Sequence, residues 1–249
     1  MDHQINLIKM ISKLNGLSFL HSKHGSFFRK KGGASGTQIK TDPAFARTRE
    51  IMQEFGEINR AGKWIRNAFK LVTGTESDDK MVNRLVKHLA LVIKTDTTHL
   101  RGDRKVGFGL LTSDGKAHLL QFNFNIKSML YGVLKTDYHV DVKSGVVSIP
   151  DFVPQKELYF PDTATHCSLE SAWSEIDFAS GKFNASISPA VSLARDLTKH
   201  NVVLTPAQPP TGNGILLVVL KVSFLKEDNG RFYPAKYGAK NAMEIVAIK

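Results

Sequence analysis

Nine histidines and one cysteine are the side chains of this 249-residue chain best suited to hold a metal or attack a substrate. His21 and His24 stand three apart, but about a turn rather than on one helical face, and no third ligand is near in sequence. A surface pair is the plainer reading. His166 and Cys167 are neighbours, so on a strand they point to opposite faces and cannot form a thiolate–imidazole pair. Cys167 reads as a small buried apolar residue, and His88 as a packed residue at the edge of an apolar helical stripe. The run Gly32-Gly33-Ala34-Ser35-Gly36-Thr37 lacks the Gly-Lys-Ser/Thr ending of a phosphate loop. No Gly-x-Ser-x-Gly elbow occurs, and the scattered carboxylates define no acid/base pair. Arg101-Gly102-Asp103 and the sequon Asn184-Ala185-Ser186 have no use without a secretion route. The sequence thus names no catalytic residue, metal ligand or cofactor, and the expectation is a protein that is not an enzyme.

Positive charge is the stronger signal. Arg60, Lys63, Arg66 and Lys70 recur at spacings of three and four, and Lys80, Arg84, Lys87 and Lys94 nearly repeat the pattern. Each row lies off an apolar stripe, which predicts two amphipathic helices with cationic outer faces. Phe27 and Phe28 beside Arg29, Lys30 and Lys31 form a basic-aromatic tip of the kind that stacks on bases. The plainer alternative is that these lysines and arginines solvate the surface. Residues 1–105 hold 20 Lys/Arg against 10 Asp/Glu, whereas 106–249 hold 14 against 13, so nearly all of the net +11 sits in the first part. That asymmetry points to an anionic partner: nucleic acid, a membrane surface or an acidic protein face.

Several elements must position these residues. Residues 4–14 fit a short helix or a strand equally well. Residues 17–21 and 26–30 are β-prone runs about Ser22-Lys23-His24-Gly25, a hairpin whose glycine supplies a positive φ. Two strands alone are marginal in water, so this hairpin needs something to lie on. Residues 30–36 read as a flexible basic link. Asp42 and Pro43 open a helix whose stripe runs Ile51, Phe55, Ile58, Gly62, Ile65, Phe69 and Val72, with Gly74 as the stop. Trp64 and Phe45 lie beside the stripe and widen the core. Ser77, Asp78 and Asp79 start a second helix with Met81, Leu85, His88, Leu89 and Val92 inward, making an antiparallel helical hairpin.

Strands are predicted at 106–111, 117–124, 138–142, 146–149, 176–178, 183–187, 215–225 and 242–248, between turns such as Ser113-Asp114-Gly115 and Asp228-Asn229-Gly230. Residues 190–199 read as a turn or two of helix. Residues 215–220 are apolar at every position, which requires cover on both faces. The fold class expected is α+β, mainly β: a hairpin arm and link (1–40), a basic helical hairpin (41–105) and an immunoglobulin-like antiparallel β-sandwich (106–249). The longest aliphatic run is six residues, too short to span a membrane, and no secretion signal opens the chain, so the expected location is cytoplasmic. One cysteine excludes an intrachain disulfide.

Gly16-Leu17-Ser18-Phe19, Gly25-Ser26-Phe27-Phe28-Arg29, Thr41-Asp42-Pro43-Ala44-Phe45-Ala46-Arg47, Glu54-Phe55-Gly56, Ala61-Gly62-Lys63 and Met81-Val82-Asn83-Arg84-Leu85 follow in close succession. Ala164-Thr165-His166, Glu175-Ile176-Asp177-Phe178 and Asn229-Gly230-Arg231-Phe232-Tyr233 come later. Together they resemble an uncharacterised family of basic proteins found in Bacteroidota. The resemblance implies a bacterial origin and carries no reaction, cofactor or catalytic residue. The expected function is structural: self-assembly, or joining a larger assembly, through the basic arm and helices. The alternative is nucleic-acid binding without strong sequence specificity.

Overall fold

A computed structural model describes residues 17–22, 25–30, 32–74, 77–235 and 241–249, with the backbone alone for 17–22 and 26–30. The chain divides into two compact units, 1–49 and 50–249. In the first, β1 (Leu17–Ser22) and β2 (Gly25–Lys30) pair antiparallel from Leu17↔Lys30 to Ser22↔Gly25, and Gly25 has φ 122°. Residues 23–24 of the expected turn, and 4–14, lie outside the described residues. The link expected to be flexible is shorter than foreseen, because helix α1 (Gly36–Thr41) begins directly after Ser35. The Ser35 side chain accepts from Gln38 N, and the Gln38 side chain accepts from Ser35 N. That reciprocal pair nucleates a turn which glycine content alone does not reveal.

Asp42 caps a 3-10 turn (Pro43–Phe45) by accepting from Ala44 N. The long helix α2 (Ala46–Ala68) follows, then α3 (Lys70–Thr73), which ends at Gly74 with φ 51°. Helix α4 (Met81–Val92) runs into a 3-10 turn (Ile93–Thr95) and buries Met81, Leu85, Leu89 and Val92. These helices join the strands in one apolar cluster rather than forming a core of their own.

Two regions expected as strands are helices: α5 (Val106–Gly109) covers most of 106–111, and α6 (Ser113–Leu119) reaches into 117–124. The Ser113-Asp114-Gly115 turn is the first turn of α6, where Thr112 accepts from Gly115 N as a cap. Residues 121–124 do run beside the last strand, exchanging backbone bonds with Met243 and Ile245. A short helix α7 (Leu130–Val133) follows.

The rest is an antiparallel framework. Strands β3 (His139–Asp141), β4 (Val146–Phe152) and β8 (His200–Leu204) form a three-stranded sheet, with α8 (Pro154–Glu157) inserted after β4. A six-stranded sheet holds β5 (His166–Ile176), β6 (Phe183–Ile187), β7 (Val191–Ala194), β9 (Ile215–Asp228), β10 (Arg231–Pro234) and β11 (Ala242–Ile248). Strand β7 replaces the helical turns expected at 190–199, because its backbone completes the ladder of β5 from Leu169↔Val191 to His166↔Ala194. The alternate residues of β9 divide between two cores. Ile215, Leu217 and Val219 join the helices, while Leu216, Val218 and Leu220 face Val147, Ile149, Val202 and Leu204 of the smaller sheet. Both faces of β9 are covered, as its unbroken apolar run requires. Among the described residues no helix is long and apolar enough to cross a membrane.

Candidate interaction surface

The apolar stripe of α2 is only half used. Ile58, Ile65 and, beyond the helix, Phe69 and Val72 are buried, but Ile51, Met52 and Phe55 are 52%, 60% and 57% exposed. Met52, Phe55 and Gly56 recur at three and four, so they share a face. A Cβ built on Gly56 meets no atom within 4 Å. A glycine inside a helix costs about 0.5–1 kcal/mol relative to alanine, and no atom packs closely on this one, which with Met52 lines the edge of a cavity. Charge alternates in blocks along the helix: Arg47 and Arg49 precede Glu50, Glu54 and Glu57, which precede Arg60, Lys63 and Arg66.

A loop is clamped against this part of α2 by Asp96, which is 2% exposed. Its carboxylate accepts from the backbone N–H groups of Thr98, His99 and Lys105 and from His99 Nδ1. Burial would raise its pKa, but the Lys105 and Thr98 N–H bonds, joined by the His99 ring and N–H, win and hold it below the usual range. Arg101 then lies 3.5 Å from Glu50, and Gly102 N donates to Glu54. Asp96→Ala leaves three part-buried N–H donors without their acceptor, at about 1 kcal/mol each, the low end of the range for an unmet buried donor. We expect the melting temperature at pH 7 to fall by about 10 °C, taking 2–4 °C per kcal/mol for a chain of this size. Because the native pKa is lowered, this stability is present above the unfolded pKa and lost as pH falls, so the difference from the native chain shrinks by pH 3. Thermal melts at the two pH values check it.

Between this loop and α2 lie two adjoining cavities. One, of about 350 Å³, is rimmed by Arg60, Arg104 and Lys105 with Glu57 and Asp103. The other, of about 550 Å³, shares Arg60 and Lys105 and is walled by Trp64, Phe108 and Phe178. Trp64 meets Phe178 edge-on with centroids 6.1 Å apart, and His99 meets Phe108 at 4.6 Å. Arg60, whose side chain is 62% exposed, donates to the buried Glu57. Arg104 Nε is buried with no hydrogen-bond partner among the described residues. No serine, threonine or cysteine lines either cavity.

The basic residues singled out by spacing fall into four groups. Lys63, Lys70, Lys80, Lys87 and Lys94 are exposed, Arg60 reaches the cavities, and Arg66 is half-buried beside Gly62. Arg84 is structural: it donates to Asp78 and to the Asn123 and Phe124 carbonyls, and lies over the Phe122 ring. The side chains of Phe27, Phe28, Arg29 and Lys30, and all of Lys31, lie outside the described residues. Spacing did not reveal Arg101, Arg104 and Lys105, because a loop held by Asp96 and by Glu50 and Glu54 of α2 has no periodicity. Cys167 is fully buried, and burial pushes its thiol up to about 12, a poor nucleophile. His88 Nδ1 donates to the His118 carbonyl, and the ring packs edge-on against Phe122, as an edge residue should. Among the described residues no cluster of three metal-ligating side chains occurs. No protein family, curated protein or solved structure matches this chain. The surface must be interpreted from its own geometry.

Proposed function

We propose that this is a non-enzymatic assembly protein whose copies associate through the uncovered half of α2. The observation that carries this reading is the patch of Ile51, Met52 and Phe55 about Gly56, an exposed continuation of the core stripe bordered at Met52 and Gly56 by the cavity that Asp103 and Arg104 also line. The occupant that fits is the same patch on a second copy. Antiparallel pairing of two α2 helices about a two-fold axis near Gly56 sets apolar residues against their equivalents. It also brings Glu50 and Glu54 of one copy into the stretch that carries Arg60 and Lys63 of the other, while Lys63 falls opposite Arg49, so the pairing rests on the apolar patch rather than on charge. The basic arm and an immunoglobulin-like sandwich are, on this reading, the remaining parts of the subunit. Light scattering across a concentration series tests it. The expected masses are multiples of 27.6 kDa, and a uniform monomer at high concentration would refute it.

A second reading, nucleic-acid binding, is favoured by Arg60, Arg104 and Lys105 meeting beside an aromatic wall. Three phosphate contacts to a single strand would give a salt slope of about −2, a loss of roughly twentyfold between 50 and 200 mM salt. Fluorescence anisotropy with a labelled single-stranded oligonucleotide measures this. Absence of binding at 50 mM salt rules the reading out.

A further inference from the structure

A second carboxylate is buried with no counter-charge paired to it among the described residues. Glu244 lies on β11 and is 5% exposed. One of its oxygens accepts from Asn123 Nδ2 at 2.7 Å, and no described cation pairs with it. Asn123 is itself fixed, since its Oδ1 accepts from Leu130 N and its amide also donates to the Gln121 carbonyl. Glu244 opens onto a cavity of about 390 Å³ walled by Phe122, Ile126, Met129 and Tyr131. Arg84 and His88 share the cavity; the Arg84 charge is answered by Asp78 and its remaining donors by two carbonyls, and His88 Nδ1 is engaged with the His118 carbonyl. Burial raises the pKa of Glu244 above the ordinary value, and the Asn123 bond offsets only part of this. Nearby, Tyr138 is raised by burial and by the Glu244 charge. An ionised carboxylate so placed needs a proton or a cation from outside.

From this arrangement we infer that the Glu244 cavity is a binding site for a primary alkylammonium group. The chemistry selects that class. A single carboxylate is too few ligands for a divalent metal, which takes six or more oxygens. A guanidinium asks for two free acceptor oxygens, and Asn123 already occupies one. A compact ammonium needs one, and its alkyl chain fits Phe122, Ile126 and Met129, with the Tyr131 ring offering a π face. The ammonium arrives either on a free amine or on a lysine side chain of another polypeptide. The site is independent of the α2 reading and stands or falls without it.

Isothermal titration of the whole chain with n-butylammonium, and separately with Nα-acetyl-lysine methylamide, tests the inference at pH 8. Saturable one-to-one binding is expected, weakened at least tenfold in Glu244→Gln and weakened in the native chain as pH falls and the carboxyl takes up a proton. If both probes bind, the pocket accepts a protein lysine; if butylammonium alone binds, the source is a free amine. Glu244→Gln keeps an oxygen for Asn123, so it should fold. A carboxyl whose native pKa is raised costs stability as pH rises, so Glu244→Gln should melt higher than the native chain at pH 8 and equally at pH 4. No saturable heat with either probe, or unchanged affinity in Glu244→Gln, would overturn the assignment.

Discussion

A chain carrying Ile51→Asp and Phe55→Asp together is expected to run as a folded monomer of 27.6 kDa at concentrations where the native chain associates. Both side chains are more than half exposed, so within one copy the substitutions uncover little and the melting temperature should stay within about 2 °C of native. In an assembled pair the same positions are desolvated. Burying an unpaired carboxylate costs several kcal/mol, and a two-fold interface would hold four of them. Association should weaken by at least about a hundredfold, or 2.7 kcal/mol. Light scattering and thermal melting together separate this from misfolding. Association that survives both substitutions would remove α2 from the interface.

Gly115→Ala carries the largest expected effect on stability. Its Cβ would stand 1.9 Å from the Gly109 carbonyl oxygen and 2.7 Å from Thr95 Oγ1. Neither neighbour can retreat cheaply. Thr95 Oγ1 donates to the Val92 and Gly109 carbonyls, and Thr112 Oγ1 donates to the Gly109 carbonyl while capping α6 through Gly115 N. Moving the α6 backbone outward breaks this cluster and withdraws Leu119 from the core. A cost of about 3 kcal/mol or more is expected, against a total stability of roughly 5–15 kcal/mol. Urea unfolding should show the midpoint collapsing, with most of the protein insoluble on expression. A shift under 1 kcal/mol would mean that α5 and α6 do not pack as described.

Gly115 also shows where the sequence misleads. In Ser113-Asp114-Gly115 a glycine after two turn-forming residues satisfies every rule for a hairpin, and the flanking apolar residues suit strands. The glycine is there because two backbones touch, and that constraint is long-range and leaves no local pattern. The long strands were legible for the opposite reason. Residues 215–220 are apolar without alternation, which only a doubly covered strand needs, and β6 and β11 fall at their predicted bounds, 183–187 and 242–248. Strand β5 was mostly missed because Ser168, Ser171, Ser174 and Glu175 interrupt its apolar pattern, yet all four are buried and Ser171, Ser174 and Glu175 bond to neighbouring backbone. The apolar stripe of α2 was readable in full, but not that its first two turns would remain outside the core. Exposure is a property of the packed unit, and so is the meeting of Arg60 with Arg104 and Lys105 across 43 and 44 intervening positions, a distance that no spacing rule spans.

The claim that another copy covers α2 is open to one direct measurement. Met52→Cys places a thiol at the centre of the patch, and the native Cys167 is buried and will not compete. Maleimide labelling of this chain should be fast in dilute solution and slow at concentrations where the protein associates. A labelling rate that does not change with concentration would contradict the account.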